Sequence, residues 1–379
     1  MHGLCESNCK RGPFLLISFQ RNFLKRRGNL LKNFYNSLFL PLSASVRATT
    51  GKRKRADVKQ YLADYGHDKG TKNVKKLLLE GTWEPSPYKI KTIQDKGKTR
   101  ELQIAPFYPD RIVHHVINSI LTDVYVPMFI NDTYQCLAGR GPARAIKKVE
   151  GYVQGNISEY VLKVDIKKFY PTVDNEILKQ KLRKKIKDKD FLNLVDKLID
   201  STKGIPLGNV TSQILGNIYL NDLDHIMKNL NSTYIRYADD ILVFGTKQQC
   251  KEYLEIIKDY LTEHKLTLNP ATQYFPLDKR TLVFLGFRFY RTHTRPKKAM
   301  IYKILKQHRL MNKEQKASTF GWLKNSDSSL ITICKLYQDQ LEVEDKNRAH
   351  VRQYKAFYKY LHFKRNKEKH NEVITSQVK

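Results

Sequence analysis

The stretch Tyr234-Ile235-Arg236-Tyr237-Ala238-Asp239-Asp240-Ile241-Leu242-Val243-Phe244 sets two adjacent carboxylates between two apolar, strand-like arms. Aromatic and β-branched residues on both sides of a tight polar centre predict a hairpin with Asp239 and Asp240 at its tip. Like charges repel, and apolar flanks limit their solvation, so the pair makes most sense where cations neutralise it. Read alone, the pattern also suits a surface hairpin with a polar tip.

A third carboxylate stands in Val161-Leu162-Lys163-Val164-Asp165-Ile166. A period of two places Leu162, Val164 and Ile166 on one face of a strand and Lys163 and Asp165 on the other. A lone aspartate at a strand end is usually a turn or cap residue. Joined with Asp239, Asp165 supplies oxygen donors for two hard cations about 4 Å apart, one activating a primer 3′-hydroxyl and the other stabilising a leaving pyrophosphate. Carboxylate oxygens suit magnesium. In-line phosphoryl transfer needs positioning and charge neutralisation more than a covalent nucleophile, and the sequence offers no Ser-His or Cys-His arrangement.

Charge points the same way. The 379 residues carry 69 Lys and Arg against 37 Asp and Glu, a formal net charge of +32. Such a surface gains affinity for phosphate backbones by releasing counterions, so a polyanionic partner is expected. Hydrophobic residues at 41% and aromatics at 11% exclude a disordered chain.

Four ordered stretches then carry a resemblance: Asp165-Ile166-Lys167-Lys168-Phe169-Tyr170, Gly204-Ile205-Pro206-Leu207-Gly208-Asn209-Val210-Thr211-Ser212-Gln213, Tyr237-Ala238-Asp239-Asp240 and Phe284-Leu285-Gly286. Together they resemble the motifs of reverse transcriptases, over about residues 28–322. The resemblance implies an α+β right-hand polymerase of fingers, palm and thumb, two Mg2+ ions, an RNA template, a cDNA or RNA primer and deoxynucleoside triphosphates. Asp165, Asp239 and Asp240 become the catalytic carboxylates, with Ile166 completing the metal set. Tyr170 becomes the aromatic that blocks a 2′-hydroxyl. Arg100 reaches the triphosphate, where a bidentate guanidinium suits phosphate oxygens, with Lys91 or Lys98 assisting. Leu207 and Gln213 join the nucleotide-binding set, and Tyr237, Ala238, Gly208, Ser212 and Gly286 are motif positions.

Within that family the wording is similar to reverse transcriptases of diversity-generating retroelements. The similarity rests on Ala105-Pro106-Phe107, Asp110-Arg111-Ile112-Val113-His114-His115, Phe129-Ile130-Asn131-Asp132-Thr133-Tyr134-Gln135-Cys136, and Leu207-Gly208-Asn209 with Ser212-Gln213. The subgroup implies error-prone copying of template adenines and a small basic oligomeric accessory protein. A maturase-like or antiphage reverse transcriptase is the alternative. Many relatives carry a lysine shortly after the counterpart of Leu268-Asn269-Pro270. Here Ala271-Thr272-Gln273 follow, with Lys279 or Arg280 as substitutes.

The expected organisation is an extension with basic linker over 1–50, fingers and the start of the palm over 51–155, palm over 156–290, and a helical basic thumb and tail over 291–379. Helical spacing runs over 57–80 and 111–126, and a basic hairpin over 88–104. From 291 the pattern is helical rather than strand-like. The aromatic and basic run 348–369 suits phosphates and stacked bases, or an amphipathic helix with its rings inward. Five cysteines show no disulfide framework and suit a reducing compartment. His2, Cys5 and Cys9 lack a fourth ligand for zinc. The apolar run 13–19 is too short to span a bilayer, and the resemblance implies a cytoplasmic, bacterial or phage-encoded protein.

Overall fold

The computed structural model describes residues 39–95, 98–307, 310–323 and 325–326. The chain divides into two units, Met1–Thr281 and Leu282–Lys379. His2, Cys5, Cys9 and the run 348–369 lie outside the described residues.

Among the described residues of unit one, three helices come first: α1 (Phe39–Thr49), α2 (Ala56–Asp64) and α3 (Gly66–Leu79). The spacing over 57–80 predicts a single helical segment, but the chain breaks at Gly66, whose φ of +59° costs a glycine little. In α1, Ala44, Ser45, Ala48 and Thr49 are buried, so the core already begins within the stretch expected as extension and linker. The predicted hairpin follows as β1 (Lys89–Asp95) and β2 (Lys98–Ile104), paired from Lys89↔Ile104 to Asp95↔Lys98. Next, α4 (Ile112–Tyr125) buries Ile112, Val113, Val116, Ile117, Ile120 and Leu121, the residues whose spacing predicts it.

After α5 (Pro142–Gln154) the chain builds an antiparallel sheet from β3 (Tyr160–Val164), β4 (Thr233–Tyr237), β5 (Asp240–Gly245) and β6 (Gln273–Pro276), in the order β4-β5-β3-β6. The short α6 (Phe169–Thr172), then α7 (Asn175–Lys185), α8 (Lys189–Asp200) and α9 (Thr211–Asn229), lie between β3 and β4, and α10 (Lys247–Glu263) follows β5. Asp174 and Asp188 cap α7 and α8, accepting from Ile177 N at 3.0 Å and Phe191 N at 2.9 Å, and Thr246 with Gln249 makes a capping box for α10. Val161 is buried as well as Leu162 and Val164, because the sheet is covered on both faces. On the second face Tyr152 of α5 sets its ring edge-on to Phe244, the partner of Val161.

Among the described residues, one ion pair lies wholly inside this unit. Arg236 and Asp224 are both 0% exposed, joined by Arg236 Nε to Asp224 Oδ1 at 2.7 Å and Nη2 to Oδ2 at 2.5 Å. Tyr234 and Thr133 hydroxyls donate to the same carboxylate at 2.7 and 2.8 Å. Removing one partner of such a pair costs about 3–5 kcal/mol, because the other charge stays buried and bare.

The second unit holds a sheet of β7 (Leu282–Phe284), β8 (Phe287–Phe289) and β9 (Thr294–Pro296), then α11 (Lys298–Gln307) and α12 (Lys313–Leu323). The expectation of purely helical structure beyond 291 is corrected here. Thr294–Pro296 pairs with β8, since Thr294 and Pro296 alternate inward around the exposed Arg295.

Candidate active site

Tyr237 pairs with Asp240, so β4 and β5 meet in a two-residue turn made of Ala238 and Asp239. Ala238 has φ +58°. A residue with a Cβ is uncommon in that left-handed region and needs outside support. Arg236 supplies it, its Nη1 donating to the Ala238 carbonyl at 3.0 Å. Asp239 and Asp240 then stand half-buried at the end of the sheet.

Asp165 arrives from β3. The last β3–β5 pair is Val164↔Ile241, and one further step in that register brings Asp165 level with Asp240. From the other side Asn269 N donates to the Asp165 carbonyl at 2.8 Å, and the Thr272 hydroxyl lies 3.2 Å from both the Asp165 N–H and its carbonyl. Ile166 bridges Leu268 and is buried, leaving its main-chain oxygen as its sole donor atom for a cation. Asn269 and Thr272 thus fix the aspartate's backbone, and Leu268 pairs with its neighbour Ile166. Arg280, a candidate for the missing lysine, donates to Gln273 at 2.7 Å and lies over the Phe275 ring at 4.7 Å.

The carboxylates feel one another. Burial, then Asp240 and Asp165, push the Asp239 carboxyl up to about 6, while the charge of Arg100 opposes the rise. Arg100, exposed on β2 opposite Ile93, therefore acts on the same point as the three acids. Lys91 is exposed opposite Leu102, and Lys98 sits opposite Asp95. Among the described residues no three His, Cys, Asp or Glu side chains form a ready metal cage. Crowded, partly dehydrated carboxylates still fit magnesium, which binds through one or two carboxylates and completes its shell with water and substrate phosphates.

Beside them stands Tyr170, in α6. Its hydroxyl donates to Gln213 Oε1 at 2.6 Å and lies 3.4 Å from Gln135 Oε1. Burial, then the charge of Asp239, raise the phenol well above its ordinary range, so it stays a neutral donor. Two glycines allow this placement. A Cβ on Gly216 would lie 3.2 Å from Cε1 of both Phe169 and Tyr170, and one on Gly204 would lie 2.7 Å from the carbonyl oxygens of Tyr170 and Pro171.

The loop 204–209 is docked on the hairpin. Gln103 N donates to the Leu207 carbonyl at 2.9 Å, Asn209 Nδ2 donates to the Gln103 carbonyl at 3.0 Å, and Asn209 Oδ1 accepts from Ala105 N at 3.3 Å. Gly208 takes φ +108°, and Ser212 Oγ donates to the Pro206 carbonyl. Leu207 itself is half-buried. Gly286, with φ +88°, belongs to the second unit, where Lys297 N donates to its carbonyl at 2.9 Å.

The sequence pattern of the reverse transcriptase (RNA-dependent DNA polymerase) family matches residues 91–289, more than half of the chain, from within the β1–β2 hairpin to beyond the acidic turn. The chain belongs to the reverse transcriptase family. The mixed helix-and-sheet structure is accordingly that of a right-hand polymerase. Protein YkfC of Escherichia coli K12 is 25% identical, covering 65% of this chain and 77% of its own. The group II intron-encoded protein LtrA of Lactococcus lactis is 27% identical over 49% of this reverse transcriptase and 33% of its own length. Among solved structures, a telomerase from Candida albicans with a TWJ fragment of telomeric RNA is 12% identical, covers 70% of this chain and 57% of its own, and has a TM-score of 0.45. No helix among the described residues is long and apolar enough to cross a membrane.

No local pattern in this reverse transcriptase gives Arg236, Asp224, Asn217, Gln135, Gly204 or Gly216 a role of its own at the site. The one signal for Arg236 is a cation inside an otherwise apolar arm, and nothing local marks Asp224 as its partner.

Proposed function

We propose that the chain copies RNA into DNA at the end of sheet β4-β5-β3-β6, with Asp165, Asp239 and Asp240 holding two magnesium ions. One observation carries this: the strand register sets Asp165 level with Asp240 beside the Tyr237–Asp240 turn, so that three carboxylates share one end of the sheet. Bound there, magnesium neutralises phosphoryl charge and acidifies the primer 3′-hydroxyl. The protein's own part is positioning. Arg100 clamps the triphosphate of the incoming deoxynucleotide, with Lys91 or Lys98 assisting, and the Tyr170 ring fills the space a 2′-hydroxyl would need. Gln213 keeps that ring in place through its hydroxyl. Primer extension and RNA binding measured together test the reading. Asp239→Asn abolishes extension and leaves RNA affinity within about threefold, since the cationic surface is untouched; full-length product at the normal rate overturns the assignment.

The finer reading is a diversity-generating retroelement enzyme that miscopies template adenines, assisted by a small basic oligomeric accessory protein. The motif wording supports it, and so does Leu207, an apolar residue where an amide would hold the nucleotide sugar by a hydrogen bond worth about 1 kcal/mol. The match to an intron-encoded protein favours a second reading, a maturase-like enzyme with RNA binding as a major role. Sequencing the cDNA made in cells separates them. Substitutions concentrated opposite adenine support diversification, and faithful copies of an intron support the second reading.

A further inference from the structure

The buried pair Arg236–Asp224 does more than its location requires. A salt bridge needs two of the guanidinium's donors, and Asp224 receives Nε and Nη2. The remaining Nη1 serves two other acceptors, Asn217 Oδ1 and the Ala238 carbonyl, both at 3.0 Å. Asn217 in turn donates from Nδ2 to the Gln135 carbonyl at 3.1 Å. Gln135 belongs to the segment that runs alongside Arg236, where Arg236 N donates to the Asp132 carbonyl at 2.9 Å and Tyr134 N to the Arg236 carbonyl at 3.0 Å. Arg236 is therefore held on main chain and side chain alike. Of its contacts, the one to Ala238 reaches the corner that carries Asp239 and Asp240.

We infer that Arg236, locked by Asp224 and Asn217, is a positioning residue that holds the Ala238 carbonyl and so fixes the two carboxylates of the turn in their working geometry. The physical need is plain. An alanine with φ +58° at the tip of a hairpin carries its own strain, and two adjacent carboxylates repel, so the turn tends to relax unless an internal donor holds its carbonyl. A planar guanidinium meets this need because its five donors point in fixed directions, three sides of it reaching three different acceptors.

The inference rests on the polymerase reading, and the test keeps the two apart. Arg236→Gln alone leaves Asp224 charged and bare, so its melting temperature and its rate both fall. Arg236→Gln combined with Asp224→Asn leaves a neutral amide pair that can still satisfy Tyr234 and Thr133. In this double variant the melting temperature returns most of the way, while kcat for primer extension stays down about tenfold or more and KM for the deoxynucleotide stays within about threefold. A merely structural role predicts that kcat returns with stability. That recovery, or a rise in KM that accounts for the loss, overturns the inference. Should the double variant fail to fold, Arg236→Lys keeps the charge beside Asp224 but offers one compact ammonium that cannot span Asp224, Asn217 and Ala238 together. It shows the same low kcat with KM held, and a normal kcat overturns the proposal. Wild-type protein that extends no primer sinks the polymerase reading, whereas a normal kcat in the variants sinks the role of Arg236 alone.

Discussion

Asp239 shows how a single side chain can be made costly by its surroundings. Burial and two neighbouring carboxylates raise its carboxyl from 3.8 to about 6, so in the folded protein the ionised form is the disfavoured one. The sign of the linkage follows. Below the unfolded value both states hold the proton and the contribution is fully present; between 3.8 and about 6 the folded state keeps a proton that the unfolded chain has released, so stability falls as pH rises; above about 6 the folded state carries a carboxylate it disfavours. Stability contributed by the shift is thus present at low pH and lost as pH rises through the folded value. Without divalent cations, Asp239→Asn should melt above wild type at pH well over 6, and the gap should close as pH falls towards 4. Thermal melts of both proteins across that range check it. An unchanged gap at both ends means that Asp239 does not feel Asp240 and Asp165 in solution.

At the scale of elements, local pattern announces what local pattern governs. The hairpin of β1 and β2, the helix α4 and the acidic turn follow from alternation, helical spacing and turn chemistry within single stretches. What escapes is set by contacts between distant stretches. Arg236 reads as one more strand residue until Asp224, twelve positions earlier on α9, is brought against it. The break at Gly66 needs a left-handed backbone that helical spacing does not encode, and β9 is too short to alternate visibly. α9 is the clearest case. Its Gln213, Gly216, Asn217 and Asp224 recur at helical spacing and meet Tyr170, Arg236 and the Gln135 segment in turn. A glycine inside a helix ordinarily costs about 1 kcal/mol relative to alanine, so Gly216 stands against propensity, and the ring contact explains it. Gly216→Ala would place a methyl 3.2 Å from Tyr170 Cε1 and push the ring by a few tenths of an ångström. The variant should fold, and its preference for deoxynucleotides over ribonucleotides should change several-fold. Competitive incorporation measures the ratio. A ratio equal to wild type would remove the Tyr170 ring from sugar selection.

Over the whole molecule, the formal charge of +32 is an excess that the acidic residues do not locally cancel. The described ion pairs that are exposed on both sides, such as Lys72–Asp68 and Lys258–Glu255, are each worth little to stability. Self-repulsion of this size costs stability unless a polyanion meets it, and RNA is the polyanion that a reverse transcriptase meets. The consequence is quantitative. If the surface neutralises about 6–10 phosphates, the logarithm of RNA affinity falls linearly with the logarithm of salt, losing about a thousandfold or more between about 50 and about 200 mM. Filter binding or fluorescence anisotropy over a salt series reads the slope directly. Asp239→Asn should leave that slope unchanged, because the turn sits apart in role from the cations that meet the backbone. A flat salt dependence in wild type would show that the basic excess serves something other than RNA, even in a protein that still extends primers.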